Sequence, residues 1–393
     1  MKHIMKATVI VLFIIINTVK LCAQKAKQDI VYREDSKFVN PILSQSLIKS
    51  NLSEKEVTQE ITYLETSKRI KPTLFADLGE TCQTPDGMAL DKNGNLFLSI
   101  TNPISFEKYG SKIITFDKND RPVTWFDQLP LHPVTKRVHP MGMEFGPDGN
   151  LYLMDNQFFA GKKDFSRLIR IIVKNGKPLK SEVLVEGFNF GEAVRWSKNR
   201  VYITDALFEN RRESGIYSFS LDELNKKNIV LDNSNKKNYL ISTFTLKSEV
   251  ANSIGIDGIA FDAKGNLYAG NFGDGVISKF EFFDNGKVKS EKVVFDSDNL
   301  KCCDGFFYDK KRNSIFIANY NNNSVHQLNL NTNKLSLIWE NAEANGSDGQ
   351  LDNPCETIIY KGKLLVVNYD TFEGEKNKEI DVFHTISSFD LGK

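Results

Sequence analysis

From about residue 71 to the end of the chain, apolar and polar residues alternate in short runs that recur in a fixed order. Six stretches carry the pattern: "DGMALDKNGNLFLSI", "MGMEFGPDGNLYLMD", "EAVRWSKNRVYITD", "DGIAFDAKGNLYAGN", "DGFFYDKKRNSIFIAN" and "ETIIYKGKLLVVN". Each reads as two alternating runs joined by a tight turn, most of them of the Asn-Gly type, and a period of two with such a turn predicts a β-hairpin. A third alternating run follows every hairpin, as in "SKIITFD" or "GVISKFEF", and a fourth follows the first five, as in "EVLVEGF" or "LSLIWE". The hairpins start at Asp86, Met141, Glu192, Asp257, Asp304 and Glu356, about 50 residues apart. Six four-stranded units at that period predict an all-β, six-bladed β-propeller. The sixth unit lacks a fourth strand, whereas "PTLFADL" at 72–78 precedes the first unit without a hairpin of its own. This N-terminal strand is therefore expected to close the last blade, which removes the sheet edges that invite aggregation.

The first 70 residues do not follow the repeat. Residues 1–23 carry Lys2 and Lys6, an apolar run from Ala7 to Ile16, and a small Ala23 before Gln24, the layout of a cleavable signal peptide. The run is too short to span a bilayer. Lys20 and Leu21 before Cys22 fit a lipid-anchored cysteine poorly, so cleavage after Ala23 and a periplasmic or secreted protein are expected. Residues 24–70 are rich in Lys, Glu, Ser and Gln, and the Ser53-to-Glu56 spacing suggests a capping box. They read as a leader with one short helix or disorder, ahead of a propeller over 71–393.

Losing Lys2, Lys6 and Lys20 would take the formal charge from +1 to −2, which gives no reason to expect a nucleic-acid partner. Hydrophobic residues make up 40% of the chain, with 28 Phe and no second long apolar segment. A large buried core, no membrane span and a monomer acting on a small molecule are expected. In an exported protein the remaining cysteines meet an oxidising compartment. Cys303 and Cys355 each precede a hairpin start on neighbouring blades, so a disulfide between them is expected, with Cys82 as the rival partner of Cys355. None has the paired spacing of a zinc site.

The first strand of a propeller blade lines the central channel, so the six hairpin starts should form one ring at its mouth. Asp86, Glu192, Asp257, Asp304 and Glu356 are carboxylates, and the sixth is Met141, with His139 two residues before it. The second strands end at Ile100, Asp155, Asp205, Asn271, Asn319 and Asn368, a second ring that is polar in five of its six members. Asp-Gly is also good turn chemistry, which accounts for any one of these aspartates alone. Glu192 and Glu356 have no such role, and converging like charges raise one another's pKa unless a cation neutralises them. Carboxylate and amide oxygens without clustered histidines suit Ca²⁺, and also Mg²⁺ or Mn²⁺, better than a structural Zn²⁺.

These motifs over residues 72–391 resemble the SMP-30/gluconolactonase/LRE-like six-bladed propellers, many of which are metal-dependent lactonases. In that family a Glu on the first blade, an Asn on the fourth and an Asp on the fifth hold the metal. The resemblance implies Asp304 as metal ligand and catalytic base, with Asp86 standing where the Glu is found and Asp257 where the Asn is found. It implies an exported metal-dependent hydrolase opening a sugar-derived lactone at the mouth, with His139 as a second candidate base and Asn271 and Asn319 orienting substrate hydroxyls. A binding module or scaffold without chemistry, or a strictosidine-synthase-like or lyase activity, would use the same mouth. Loops at 101–110, 155–166, 205–214 and 368–379 are expected to wall it, where Arg211, Arg212 or Lys162 would suit an anionic sugar acid.

Overall fold

The inner strands of six sheets converge on one axis in the computed structural model, which describes residues 60–64, 69–208, 212–248, 253–371, 376–378 and 383–392. The signal peptide, its cleavage site, Cys22 and the Ser53–Glu56 box lie outside these residues. Blade 1 is Pro85–Leu90, Leu96–Ile100, Lys112–Phe116 and Pro122–Phe126. Blade 2 is Pro140–Phe145, Leu151–Asp155, Ser166–Lys174 and Lys177–Phe188, and blade 3 is Gly191–Ser197, Arg200–Asp205, Glu213–Ser220 and Leu240–Thr245. Blade 4 is Ile256–Phe261, Leu267–Asn271, Val276–Phe282 and Val288–Asp296, and blade 5 is Cys303–Asp309, Ser314–Asn319, Ser324–Asn329 and Lys334–Glu340. Blade 6 takes Pro354–Tyr360, Lys363–Asn368 and Thr385–Phe389 from the C-terminal end and Thr73–Asp77 from the N-terminal end. Each inner strand touches those of the blades before and after it, and the sixth touches the first, so the ring closes.

Closure runs as the sequence implies. Thr73–Asp77 pairs antiparallel with Thr385–Phe389, Thr73 opposite Ser388 and Asp77 opposite Thr385. A chain truncated at residue 78 would leave Thr385–Phe389 as an open edge and lose the packing of Ala76 and Leu78. Its thermal unfolding should shift down by about 10 °C or more, in keeping with a loss of a few kcal/mol, and an unchanged midpoint would show that closure is carried elsewhere. Near the end of the leader, Thr62–Leu64 is a strand, parallel to the outer strand of blade 5 with Thr62 opposite Lys334. A β-branched and an aromatic residue favour the extended form there, and Ile61 is buried in the core between blades 4 and 5.

Alternation within each strand sends side chains to the two flanking interfaces. Phe97 and Ile113 of blade 1 pack on Met143, Leu153 and Ile169 of blade 2, while Leu96, Leu98 and Ile114 of blade 1 join the core shared with Leu365, Val367 and Ile386 of blade 6. Near the axis there is room only for backbone. A Cβ on Gly258 would lie 1.8 Å from the Asp304 carbonyl oxygen, and one on Gly305 would lie 2.5 Å from that of Cys355. The repeated Asp-Gly pair is thus a packing device between neighbouring inner strands, and neither glycine adopts a positive φ.

Candidate active site

Pairing registers define the ring. Pro85, Pro140, Gly191, Ile256, Cys303 and Pro354 each lie opposite the last residue of the neighbouring second strand. The next residues are Asp86, Met141, Glu192, Asp257, Asp304 and Cys355. Blade 6 therefore presents Cys355 at the ring, and Glu356 stands one step further along the strand. Its inner strand pairs as that of blade 5 does, Pro354 opposite Asn368 as Cys303 is opposite Asn319, so Cys355 stands where blade 5 has Asp304. The backbone agrees, since Thr84, Cys302 and Asn353, each two residues before the ring, all take positive φ.

Four ring carboxylates remain together: Asp86, Glu192, Asp257 and Asp304. Glu192 and Asp257 are 8% and 5% exposed, and Asp86 and Asp304 are half-buried on the channel wall. Asp304 is pushed well above the usual carboxylate range by burial and then by the charges of Asp257, Asp86, Glu192 and Glu356. Burial and the neighbouring acids raise Asp86 and Glu192 in the same way, and Asp257 is pushed up to about 7 by burial and Glu356. Among the described residues Glu192 has one hydrogen-bond donor, Asn156 Nδ2 at 2.9 Å. The other three have none.

Charge is answered one level deeper. Arg195 of blade 3 reaches across the axis to Glu356 of blade 6, Nη2 to Oε2 at 2.6 Å, and also donates to the Phe306 and Val194 carbonyls at 3.1 and 3.0 Å. Blades 3 and 6 are opposite one another, so this ion pair spans the channel. Glu144 of blade 2, pushed up to about 7 by burial, accepts from the Trp196 backbone N–H. Glu144 and Arg195 occupy the position three after the ring residue, which blades 1 and 4 fill with Ala89 and Ala260. Two charged residues in an otherwise apolar slot are the sequence signal that reading the hairpin starts alone passes over.

The second ring is occupied with the protein itself. Asp155 accepts from the His139 backbone at 2.8 Å, from Gln157 Nε2 at 2.7 Å and from Arg167 Nε at 2.8 Å. Asp205 accepts from the Asn189 and Phe190 backbone at 3.1 and 2.7 Å. Asn271 exchanges bonds with Asp274, Asn319 with Asn299 and Asn322, and Asn368 with Asp352, Thr385 and Ser387. All five are between 0 and 5% exposed. They brace the loops that lead into the inner strands.

The rim lies one residue beyond. In every blade a backbone bond continues the ladder by one step, Thr101 to Thr84, Asn156 to His139, Ala206 to Phe190, Phe272 to Gly255, Tyr320 to Cys302 and Tyr369 to Asn353, between 2.8 and 3.4 Å. Phe272, Tyr320 and Tyr369 form an aromatic row across blades 4 to 6, with ring centroids 6.0 and 5.9 Å apart. On the other side, His139 is fully buried between Phe106 and Phe159. Its Nδ1 lies 3.2 Å from the Asn156 carbonyl, which can only accept, so Nδ1 carries the proton and Nε2 is an acceptor with no hydrogen-bond partner among the described residues. Burial lowers its pKa to about 4, so the ring is neutral at physiological pH. Lys162 is exposed on its loop, and Arg211 lies outside the described residues.

No disulfide joins the four described cysteines. Cys303 donates to the Asn271 carbonyl and Cys355 to that of Pro85. Cys303 corresponds to Pro354 of blade 6 and Cys355 to Asp304 of blade 5, so the two cysteines are not at equivalent positions and the expected disulfide does not form.

Asp257, Glu144 and Asp205, the last pushed up to about 6 by burial, all have folded pKa values above the unfolded value of about 4. A raised carboxyl contributes stability that is fully present below its unfolded pKa and lost as pH rises through the folded one. The metal-free protein should therefore lose melting temperature between about pH 4 and pH 7 from these groups, and excess Ca²⁺ should remove the part due to the ring. A melting temperature flat across that window would contradict the acidic ring.

No protein-family model matches the chain, and no curated protein does. Solved structures do. A luciferin-regenerating enzyme aligns over 82% of this chain and 96% of its own at 10% identity, with a TM-score of 0.55. A putative gluconolactonase aligns over 85% and 96% at 12% identity with a TM-score of 0.51, and the calcium-binding protein regucalcin from Agrobacterium tumefaciens over 83% and 95% at 12% identity with a TM-score of 0.51. At such identities the likeness is one of fold. The chain thus has the six-bladed propeller fold of the SMP-30/gluconolactonase/luciferin-regenerating-enzyme-like proteins, the group that its motifs resemble.

Proposed function

We propose that the protein is an exported metal-dependent hydrolase that opens a lactone at the acidic mouth of its channel. The observation that carries this reading is the ring itself. Asp86, Glu192, Asp257 and Asp304 converge at a level where the nearest cation, Arg195, is committed to Glu356. Such a set is costly unless a cation shares it. Its oxygen donors are of the type that suits a hard divalent ion such as Ca²⁺, although among the described residues no three side chains of His, Cys, Asp or Glu are grouped so as to hold a metal ion. Asp86, Asp257 and Asp304 would hold the ion, with Glu192 beside them. When bound, it would supply charge stabilisation for the oxygen that becomes negative as a lactone opens.

The chain's own groups do the rest. Asp304, raised by its neighbours, is suited to take a proton from an attacking water. The Arg195–Glu356 pair joins opposite blades beside the ring. His139 Nε2, neutral and without a hydrogen-bond partner among the described residues, is a second acceptor near the rim. Export rests on the N-terminal Lys2–Ala23 pattern. The absence of a preformed cage is what a non-catalytic binding module would also present, and that alternative predicts ligand retention with no turnover. Calorimetric titration decides between a metal site and none: one Ca²⁺ should bind the parent, and Asp86→Ala should weaken it by about tenfold or more, in line with loss of a charged ligand. Equal affinity in the two proteins would remove Asp86 from the site.

A further inference from the structure

Ten large apolar side chains stand exposed among the described residues, and four of them lie on three loops of blades 1 and 2. Ile104 is 62% exposed, Val134 60%, Leu131 52% and Phe159 41%. The loops, at 103–109, 131–137 and 157–165, all leave the strands at the end where the ring residues stand, so the four tips share the mouth face. Hydrogen bonds tie the loops together. Arg137 Nη1 donates to the Pro103 carbonyl at 3.1 Å, Gln157 Nε2 to the Arg137 carbonyl at 3.1 Å, and Thr135 Oγ1 to Gln157 Oε1 at 2.5 Å. The turn that carries Val134 is closed by backbone bonds of 2.9 Å from His132 to Arg137 and from Lys136 to His132, and the His132 ring stacks on Phe165 at 4.7 Å. The apolar tips therefore stand on a braced base. The same loops carry five basic residues, Lys108, Lys136, Arg137, Lys162 and Lys163, against the acids Glu107 and Asp164. Both acids are engaged, Glu107 by Arg137 and Asp164 by Lys236, each at 3.1 Å, while the four lysines are exposed.

We propose that this face lies on an anionic phospholipid surface, with Ile104, Leu131, Val134 and Phe159 entering the boundary between headgroups and acyl chains and the exposed lysines meeting the phosphates. Each tip gains by the apolar area it takes out of water, and each lysine near an anionic leaflet adds attraction. The charge decides the occupant. Protein interfaces are depleted in lysine, whereas lysine interleaved with apolar and aromatic side chains is the composition of a contact that lies in the membrane interface. The proposal stands on the loops alone and does not rest on the hydrolase reading. It would set the channel mouth against the lipid surface.

Vesicle cosedimentation tests it on the chain from Gln24 onward, which lacks the apolar run Ala7–Ile16 and keeps every described residue. Vesicles of phosphatidylcholine with about 30% phosphatidylglycerol should bind it about tenfold or more tighter than phosphatidylcholine alone, and high salt should shrink that difference. Ile104→Ser with Val134→Ser should weaken binding to the anionic vesicles by about tenfold or more. Lys162→Gln with Lys163→Gln should remove most of the preference for anionic lipid. Both variants should keep the parent's melting temperature, because the four side chains are exposed. Equal binding to the two kinds of vesicle, or anionic binding that both variants retain, would overturn the proposal. So would a parent that binds neither, and a dimer that Ile104→Ser with Val134→Ser dissociates would then assign the face to a second copy of this chain.

Discussion

Arg195→Met should cost the fold about 3–5 kcal/mol, the usual penalty for leaving a buried charge without its partner. Glu356 and Arg195 are both nearly inaccessible, 6% and 11% by side chain, and they meet across the axis from opposite blades. Removing the guanidinium would leave the Glu356 carboxylate among Asp86, Asp257 and Asp304, and would take the donor from the Phe306 carbonyl. Glu356 could escape only by taking up a proton, so the loss should be smaller at acidic pH. The double variant Arg195→Met with Glu356→Gln should recover much of the stability, because the pair contributes little over a well-packed neutral replacement. Urea denaturation of the four proteins gives the cycle. A loss below about 1 kcal/mol in the single variant would mean that the pair behaves like a solvated surface bridge.

Asp304→Asn should lower lactone turnover by about a hundredfold or more, the range set by loss of a general base. The amide keeps the shape and one ligand oxygen but cannot accept a proton from water. Ca²⁺ affinity should fall modestly, since three ring carboxylates remain. Stability should hold or rise, because one of several repelling carboxyls becomes neutral. The expected signature is thus a loss in kcat at saturating metal with an unchanged or higher melting temperature. A variant that binds Ca²⁺ and turns over substrate like the parent would move the base elsewhere, His139 being the next residue to test.

Local chemistry made the fold legible. Period-two alternation and the turn pairs are written within each hairpin of 13 to 16 residues, so six blades follow from reading any one of them and finding the others. The closing strand at 72–78 was legible by subtraction, as the one strand that the repeat count left over. Asp86, Glu192, Asp257 and Asp304 could be found because position in the repeat fixes position on the channel. Reading failed where register or distance across the ring decides. Blade 6 carries Cys355 where blade 5 carries Asp304, so Glu356 stands one step off the ring and Cys303 and Cys355 are not equivalent. Polar residues at the ends of second strands look open in the sequence, yet each lies opposite backbone N–H groups or polar side chains that occupy it. Arg195 finds Glu356 161 positions away in the chain, and no spacing rule reaches that far.

The measurement that bears most directly on the account is hydrolysis of a panel of lactones, D-glucono-1,5-lactone and α-amino-γ-butyrolactone among them, by one preparation before and after chelation and after reloading with Ca²⁺, Mg²⁺, Mn²⁺ or Zn²⁺. The account predicts turnover that chelation abolishes and that at least one of these ions restores, with Asp304→Asn inactive in the restored state. Turnover that persists undiminished in the chelated protein, or its complete absence with every ion, would contradict a metal-dependent hydrolase at the acidic ring.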